Sequence, residues 1–202
     1  MRDAGFEVID ADHVAREVVE PGTNGLTRVI DAFGKHLLDE SGGLARKALG
    51  ALVFADEQAR RRLSSILHPL IAARTAERVQ DARDRGAPMV VYEAPLIVEN
   101  GLHKDLDLLV VVSVDADTQL ERLMKRDDID EAGAKARIAA QLPLESKVAV
   151  ADVIIDNSGS RETTMNQVND LIEALPKLCW PRDEVDAQKA LERWRQERRK
   201  TQ

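Results

Sequence analysis

Aromatic side chains are scarce: Phe, Tyr and Trp make up 3% of 202 residues. A core of stacked rings is therefore excluded, and an all-β sandwich is disfavoured. Burial must come from the Leu, Val, Ile and Ala that dominate the 44% hydrophobic fraction, which suits helices packed on a parallel sheet. Cysteine is nearly absent too, and the single Cys179 cannot form an internal disulfide. No apolar run approaches the roughly 20 residues that cross a bilayer, and the segment from Met1 to Phe6 lacks the apolar stretch of a signal peptide. These features predict a protein of a reducing cytoplasm with no membrane partner. Excess positive charge is missing as well. A net charge of −7 argues against nucleic acid as the main partner, because phosphate backbones reward cations.

What is present reads as an α/β chain. Pro88–Glu93 and Leu106–Val114 are rich in Val and Leu with little alternation, the pattern of strands covered on both faces. Shorter strands are expected at Phe6–Asp10 and Asp152–Asp156. Helical patterns lie between them. One runs from Glu57 to Arg85 with an expected interruption at His68-Pro69, since proline disfavours helix in the residue before it. Others span Asp117–Lys125 with Asp117 as the cap, Asp130–Gln141, and Ser160–Leu175 ended by Pro176. Strand, helix and strand in alternation predict a parallel sheet with crossover helices. From Pro181 to Gln202 the chain is almost wholly charged or small, an exposed extension.

Several short segments could carry chemistry. Val8-Ile9-Asp10-Ala11-Asp12 ends a strand in two carboxylates, and ligands of open parallel sheets bind outside the carboxyl ends of strands. Asp12 either caps the following helix or takes a proton from an acceptor hydroxyl. Arg16, one turn on, could hold an anion. In Leu67-His68-Pro69 the imidazole either contacts a ligand or bonds a carbonyl freed by the proline. Glu93 and Glu99 flank the turn at Pro95, with Glu93 reading as an ordinary loop acid. Arg122 and Arg126 are four apart and share a helix face, which suits a polyphosphate or a solvated ion-paired surface. Asn157 could offer its amide to a purine edge or simply make the turn before Gly159. No metal-ligating cluster stands out.

The order of these segments is more specific than any one of them. Asp10-Ala11-Asp12 with Arg16 comes first, then Phe33-Gly34, Leu44-Ala45-Arg46 with Leu49 and Val53-Phe54, and Leu67-His68-Pro69. Pro95-Leu96-Ile97-Val98-Glu99, Arg126-Asp127-Asp128, Gln141, and Ala151-Asp152 through Asn157 and Gly159 complete the succession. It resembles the dephospho-coenzyme A kinase family from about Gly5 to Leu178. The resemblance implies a P-loop NTPase-like three-layer parallel sheet with a helical acceptor lobe and a lid. The kinase core would span 1–178, with the lobe at about 20–85, the lid at about 117–147, and a charged extension at 179–202. The implied reaction moves a phosphoryl group from ATP, with Mg²⁺, to the ribose 3′-hydroxyl of dephospho-coenzyme A. By position Asp12 would be the catalytic base. Asp10, Arg16, His68 and Pro69 would lie at the acceptor. Arg126, helped by Arg122, would close on the phosphates, and Asn157 and Gly159 would meet the adenine.

One part of the family pattern has no counterpart. Nowhere in the 202 residues is there a G-x-x-x-x-G-K-[ST] loop; Gly34-Lys35 is followed by His36 and fails the pattern. Without the backbone amides, lysine and hydroxyl of that loop, turnover by these residues alone is expected to be very low. A strand next to the loop would be missing with it, leaving the remaining strands short of a neighbour. A late start codon or truncated reading frame is the expected origin. Two other functions compete with the enzyme: a binding module that keeps the acceptor lobe, and a kinase of another small molecule such as a nucleoside monophosphate. His68-Pro69 and Asp10-Ala11-Asp12 favour the coenzyme A precursor over the latter.

Overall fold

The computed structural model describes residues 1–179, side chains through Pro176; the expected extension at 179–202 otherwise lies outside the described residues. Two compact units divide the chain, Met1–Pro95 and Leu96 onward.

In the first unit, strand β1 (Glu7–Asp10) leads directly into helix α1 (Ala11–Glu17). Helices α2 (Asn24–Phe33), α3 (Arg46–Ala55) and α4 (Glu57–Asp84) follow, then strand β2 (Val90–Glu93). The strands pair in parallel, Glu7 opposite Val90 through Asp10 opposite Glu93. Parallel strands need a long crossover, and the four helices supply it. Helix α4 is the spine, packing against α1, α2 and α3. Between these helices lie Val19, Leu26, Val29, Leu37, Leu44 and Leu49, all buried, with Phe33, Val53, Ile66 and Leu67 packed around them. Gly25 makes this possible. A Cβ there would stand 1.9 Å from the carbonyl oxygen of Val18, so only glycine lets α2 approach the end of α1 so closely.

The expected break at His68-Pro69 does not occur: α4 runs unbroken through Pro69. Proline removes one amide donor, but Ser65 and Pro69 are exposed, so water can serve the freed carbonyl. Packing of α4 on three helices outweighs the local preference. Pro176 likewise lies inside helix α8 (Arg161–Cys179) instead of ending it. Leu171 and Leu175, each 2% exposed, hold that helix down while the proline faces out.

The second unit carries strands β3 (Val110–Ser113) and β4 (Val153–Asp156), also parallel. Between them come α5 (Ala116–Asp127), α6 (Glu131–Ala139) and the short α7 (Leu144–Ala149), which packs on β3; α8 packs on β4. The strand read from the sequence as Leu106–Val114 shrinks to Val110–Ser113. The expectation of burial on both faces also fails in part, since Val112 is 57% exposed and Ile154 42%. Each described strand has a single neighbour, so the strands form two parallel pairs and each pair keeps open edges.

Candidate active site

The turn from β1 into α1 settles which aspartate caps the helix. Asp10 is the cap: its Oδ1 accepts from the amides of Asp12 at 2.9 Å and His13 at 3.1 Å. The capping role read as one option for Asp12 therefore belongs to Asp10, because the helix starts two residues earlier than that option requires. Asp12 lies in the first turn, exposed, with no hydrogen bond or ion pair recorded at its carboxylate among the described residues. Its charge nevertheless reaches Tyr92 on β2. Burial raises the Tyr92 phenol above its ordinary range, Thr75 beside it works the other way, and Asp12 adds to the rise.

Arg16 and His68 are also exposed, and their side chains have no recorded partner. Arg16 uses its backbone carbonyl to accept from Arg46 of α3 at 3.4 Å. His68 does not bond a carbonyl, so the bonded-core option for it fails. Asp12 and Arg16 sit on α1 and His68 with Pro69 on α4, and these two helices pack together. The first unit thus presents an uncommitted carboxylate, a guanidinium and an imidazole on adjoining helices.

In the second unit the two arginines of α5 part company. Arg122 donates to the carbonyl of Asn157 at 2.6 Å and reaches that of Gly159 at 3.5 Å, pinning α5 to the turn after β4. The same turn is braced elsewhere. Asn157 Oδ1 accepts from the Thr164 hydroxyl at 3.0 Å, and Ser158 Oγ accepts from the amide of Asp115, the residue that caps α5 in place of the expected Asp117. Arg126 instead forks onto Asp127 at 2.7 and 3.2 Å, and Arg137 of α6 bonds the same carboxylate. The Asp127 carboxyl is held below the usual range chiefly by Arg126; desolvation opposes this, and Arg137 adds to the lowering. Two guanidinium groups, 73% and 54% exposed, are therefore gathered at the α5–α6 joint.

Glu99 proves to be more than a loop acid. It pairs with Lys147 of α7 at 2.6 Å and accepts from the amide of Leu142, with both side chains largely buried. Glu93 stays exposed. Sequence reasoning missed Lys147 and Tyr92. It also missed Glu17 at the end of α1 and its partners Arg74 and Arg78 on α4. The four-residue spacings of His13 with Glu17 and of Arg74 with Arg78 were the available signals. Among the described residues no group of three or more His, Cys, Asp or Glu could hold a metal ion, and no helix is long and apolar enough to cross a membrane.

Parallel strands, long helical crossovers and a carboxylate turn at a strand's carboxyl end define an α/β protein with its candidate ligand site at the strand ends. The chain belongs to the dephospho-CoA kinase family, whose model matches residues 1–163. It is 45% identical to a dephospho-CoA kinase of Shouchella clausii over 168 residues, 83% of this chain and 85% of that one. It is 46% identical to the dephospho-CoA kinase of Anaeromyxobacter dehalogenans, covering 87% of this chain and 83% of that one. Among solved structures, the dephospho-CoA kinase of Campylobacter jejuni superposes with a TM-score of 0.64 at 29% identity, over 86% of this chain and 87% of the other.

Proposed function

We propose that this chain supplies the acceptor-binding and lid residues of a kinase. The kinase transfers the terminal phosphoryl group of ATP to the ribose 3′-hydroxyl of dephospho-coenzyme A, completing coenzyme A. The observation that carries the reading is the uncommitted Asp12 at the carboxyl end of β1, capped into place by Asp10, on a chain of this family. An exposed carboxylate with no partner is free to accept the hydroxyl proton as the new P–O bond forms. Arg16 supplies a cation for an acceptor phosphate, and His68 a hydrogen-bonding group beside it. Pro69 stiffens the helix surface next to the imidazole.

Arg126 and Arg137, gathered on Asp127, are suited to close on the donor's phosphates, where two forks bind charge-dense oxygens well. Arg122 acts on the adenine side by fixing the Asn157–Gly159 turn. On this reading residues 20–85 form the acceptor lobe and 117–147 the lid. Mg²⁺ would arrive with ATP. Among the described residues no group of three or more His, Cys, Asp or Glu could form a cage for it. The acidic chain, with net charge −7, works on small anions through local arginines and not through its overall field.

The acceptor half of the proposal is independent of the phosphate loop and is tested by binding. Isothermal titration of the purified chain with dephospho-coenzyme A is expected to give saturable heat, weakened about tenfold by Arg16→Ala or His68→Ala. Flat titrations with a chain that melts cooperatively would reject the reading. Transfer is followed by mass detection of the 3′-phosphorylated product; whatever rate is found, Asp12→Asn should lower it about 100-fold or more.

A further inference from the structure

An acid at the last residue of a helix is poorly placed, because the partial negative charge of the helix end repels it. Glu17 ends α1, yet its side chain is only 20% exposed. Two guanidinium groups and an imidazole converge on it. His13 Nε2 lies 3.1 Å from its Oε1 one turn back along α1, and Arg78 of α4 bonds the same oxygen. Arg74, one turn before Arg78, brings its Nε to 3.6 Å from Oε2. Oε2 is itself buried and has no hydrogen bond, so Arg74 serves it by charge alone. Arg74 is shared with Glu77 at 3.0 Å.

Helix α1 has seven residues, too short to hold its shape without tertiary anchors. Its anchors include the Asp10 cap at its start, Val14, fully buried, the Arg46 bond to the Arg16 carbonyl, Val19 in the core just past its end, and Glu17. Val14 fixes depth, but an apolar contact permits rotation about the helix axis. The Asp10 cap and β1 fix the start of the helix, and directional bonds from Glu17 to α4 restrain its far end. The same helix carries Asp12 and Arg16, and α4 carries His68.

We infer that Glu17 is a positioning residue of the acceptor site, locking α1 to α4 through Arg78 and Arg74 so that Asp12 and Arg16 face the same ligand as His68. The inference rests on the functional reading above. Glu17 touches no substrate; it acts through the helix it ends.

A double-mutant cycle on the full chain tests it, using Glu17→Gln, Arg78→Gln and the pair, each titrated calorimetrically with dephospho-coenzyme A and melted by circular dichroism. Each single change is expected to weaken binding about tenfold, a cost typical of a misplaced binding group. The double change should be no worse than either single, because both break one link. Glu17→Asp, which keeps the charge but shortens the reach, should fall between. Singles that lower the melting temperature yet leave affinity within about twofold of the unaltered chain would overturn the inference while leaving the functional reading intact. Additive losses in the double would overturn it as well. If Glu17→Gln loses cooperative melting, Arg78→Lys carries the test, with a weakened affinity expected and an unchanged one overturning the inference. No binding by the unaltered chain would remove both the functional reading and the inference.

Discussion

The two units hold their strands by different means. In Met1–Pro95 the helices bury a continuous apolar cluster from Val19 to Leu49, and only Leu38 and Phe54 among its large apolar residues are exposed. In the unit that starts at Leu96, seven large apolar residues are exposed among those described: Leu96, Leu102, Val112, Leu142, Val150, Ile154 and Met165. There, order depends more on side chains that bond backbone. Asp152 accepts from the amide of Leu109 at 2.8 Å, Gln167 grips both the amide and the carbonyl of Asp156, and Arg122 holds the turn at Asn157. Apolar packing is non-directional and cumulative, whereas each polar tether is local. The acceptor-side residues of the proposal thus stand on a packed scaffold, and the arginines assigned to the lid stand on helices held by a few breakable bonds.

That contrast can be attacked from both sides. The largest effect is expected from Gly25→Ala, whose methyl group would meet the Val18 carbonyl; α2 must move, at a cost of about 3 kcal/mol. Denaturant unfolding measures it, and a loss under about 1 kcal/mol would mean that the first unit is not close-packed there.

Next is Lys147→Ala in the second unit. It leaves Glu99 largely buried without its cation and should cost about 2 kcal/mol. Its pH dependence is the sharper test. Burial pushes the Glu99 carboxyl up, but Lys147 and the neighbouring amides outweigh it and hold the group below the ordinary glutamate range. A lowered folded value contributes stability that is present above the unfolded pKa and is lost as pH falls through the folded one. The gap between the two proteins should therefore be full at neutral pH and close in acid. A gap that stayed constant would mean that the pair is not what Lys147 supplies.

Asp56→Ala should cost about 1 kcal/mol, because Asp56 caps α4 by accepting from Gln58 and Ala59. The smallest global effect is expected from Arg122→Ala, about 0.5 kcal/mol or less. Amide exchange around Asn157–Gly159 should still quicken while the helices of the first unit stay protected. Equal quickening in both units would mean that the two units are held alike.

Much of the architecture was legible in the residues. The runs of Val and Leu at β2 and β3 and the shorter ones at β1 and β4 marked all four described strands, because parallel strands need apolar side chains at successive positions. Their ends were less legible, and Leu106–Leu109 reads as strand but is not. Both prolines misled in the same way. Pro69 and Pro176 signal an end locally, and docking of the flanking leucines and isoleucines overrides that signal. At the site, the two carboxylates of Asp10-Ala11-Asp12 were visible but their division of labour was not, since a shift of two residues in the helix start exchanges cap and free acid. Glu17, Arg74 and Arg78 were invisible as a group. They are separated by about 60 positions and look like ordinary surface charges until α1 packs on α4.

By itself the sequence determined the α/β class, the parallel pairing and the family, because these follow from the periodicity of apolar residues and from an ordered set of short segments. Only the tertiary structure decided which charges are spoken for. Asp10, Glu17, Glu99, Arg122 and Asp127 are committed to helix ends, helix pairs and turns, while the side chains of Asp12, Arg16 and His68 are left uncommitted. The reason is physical: secondary structure depends on neighbours along the chain, but an ion pair depends on distance in space, and distances between remote residues exist only once the helices have packed.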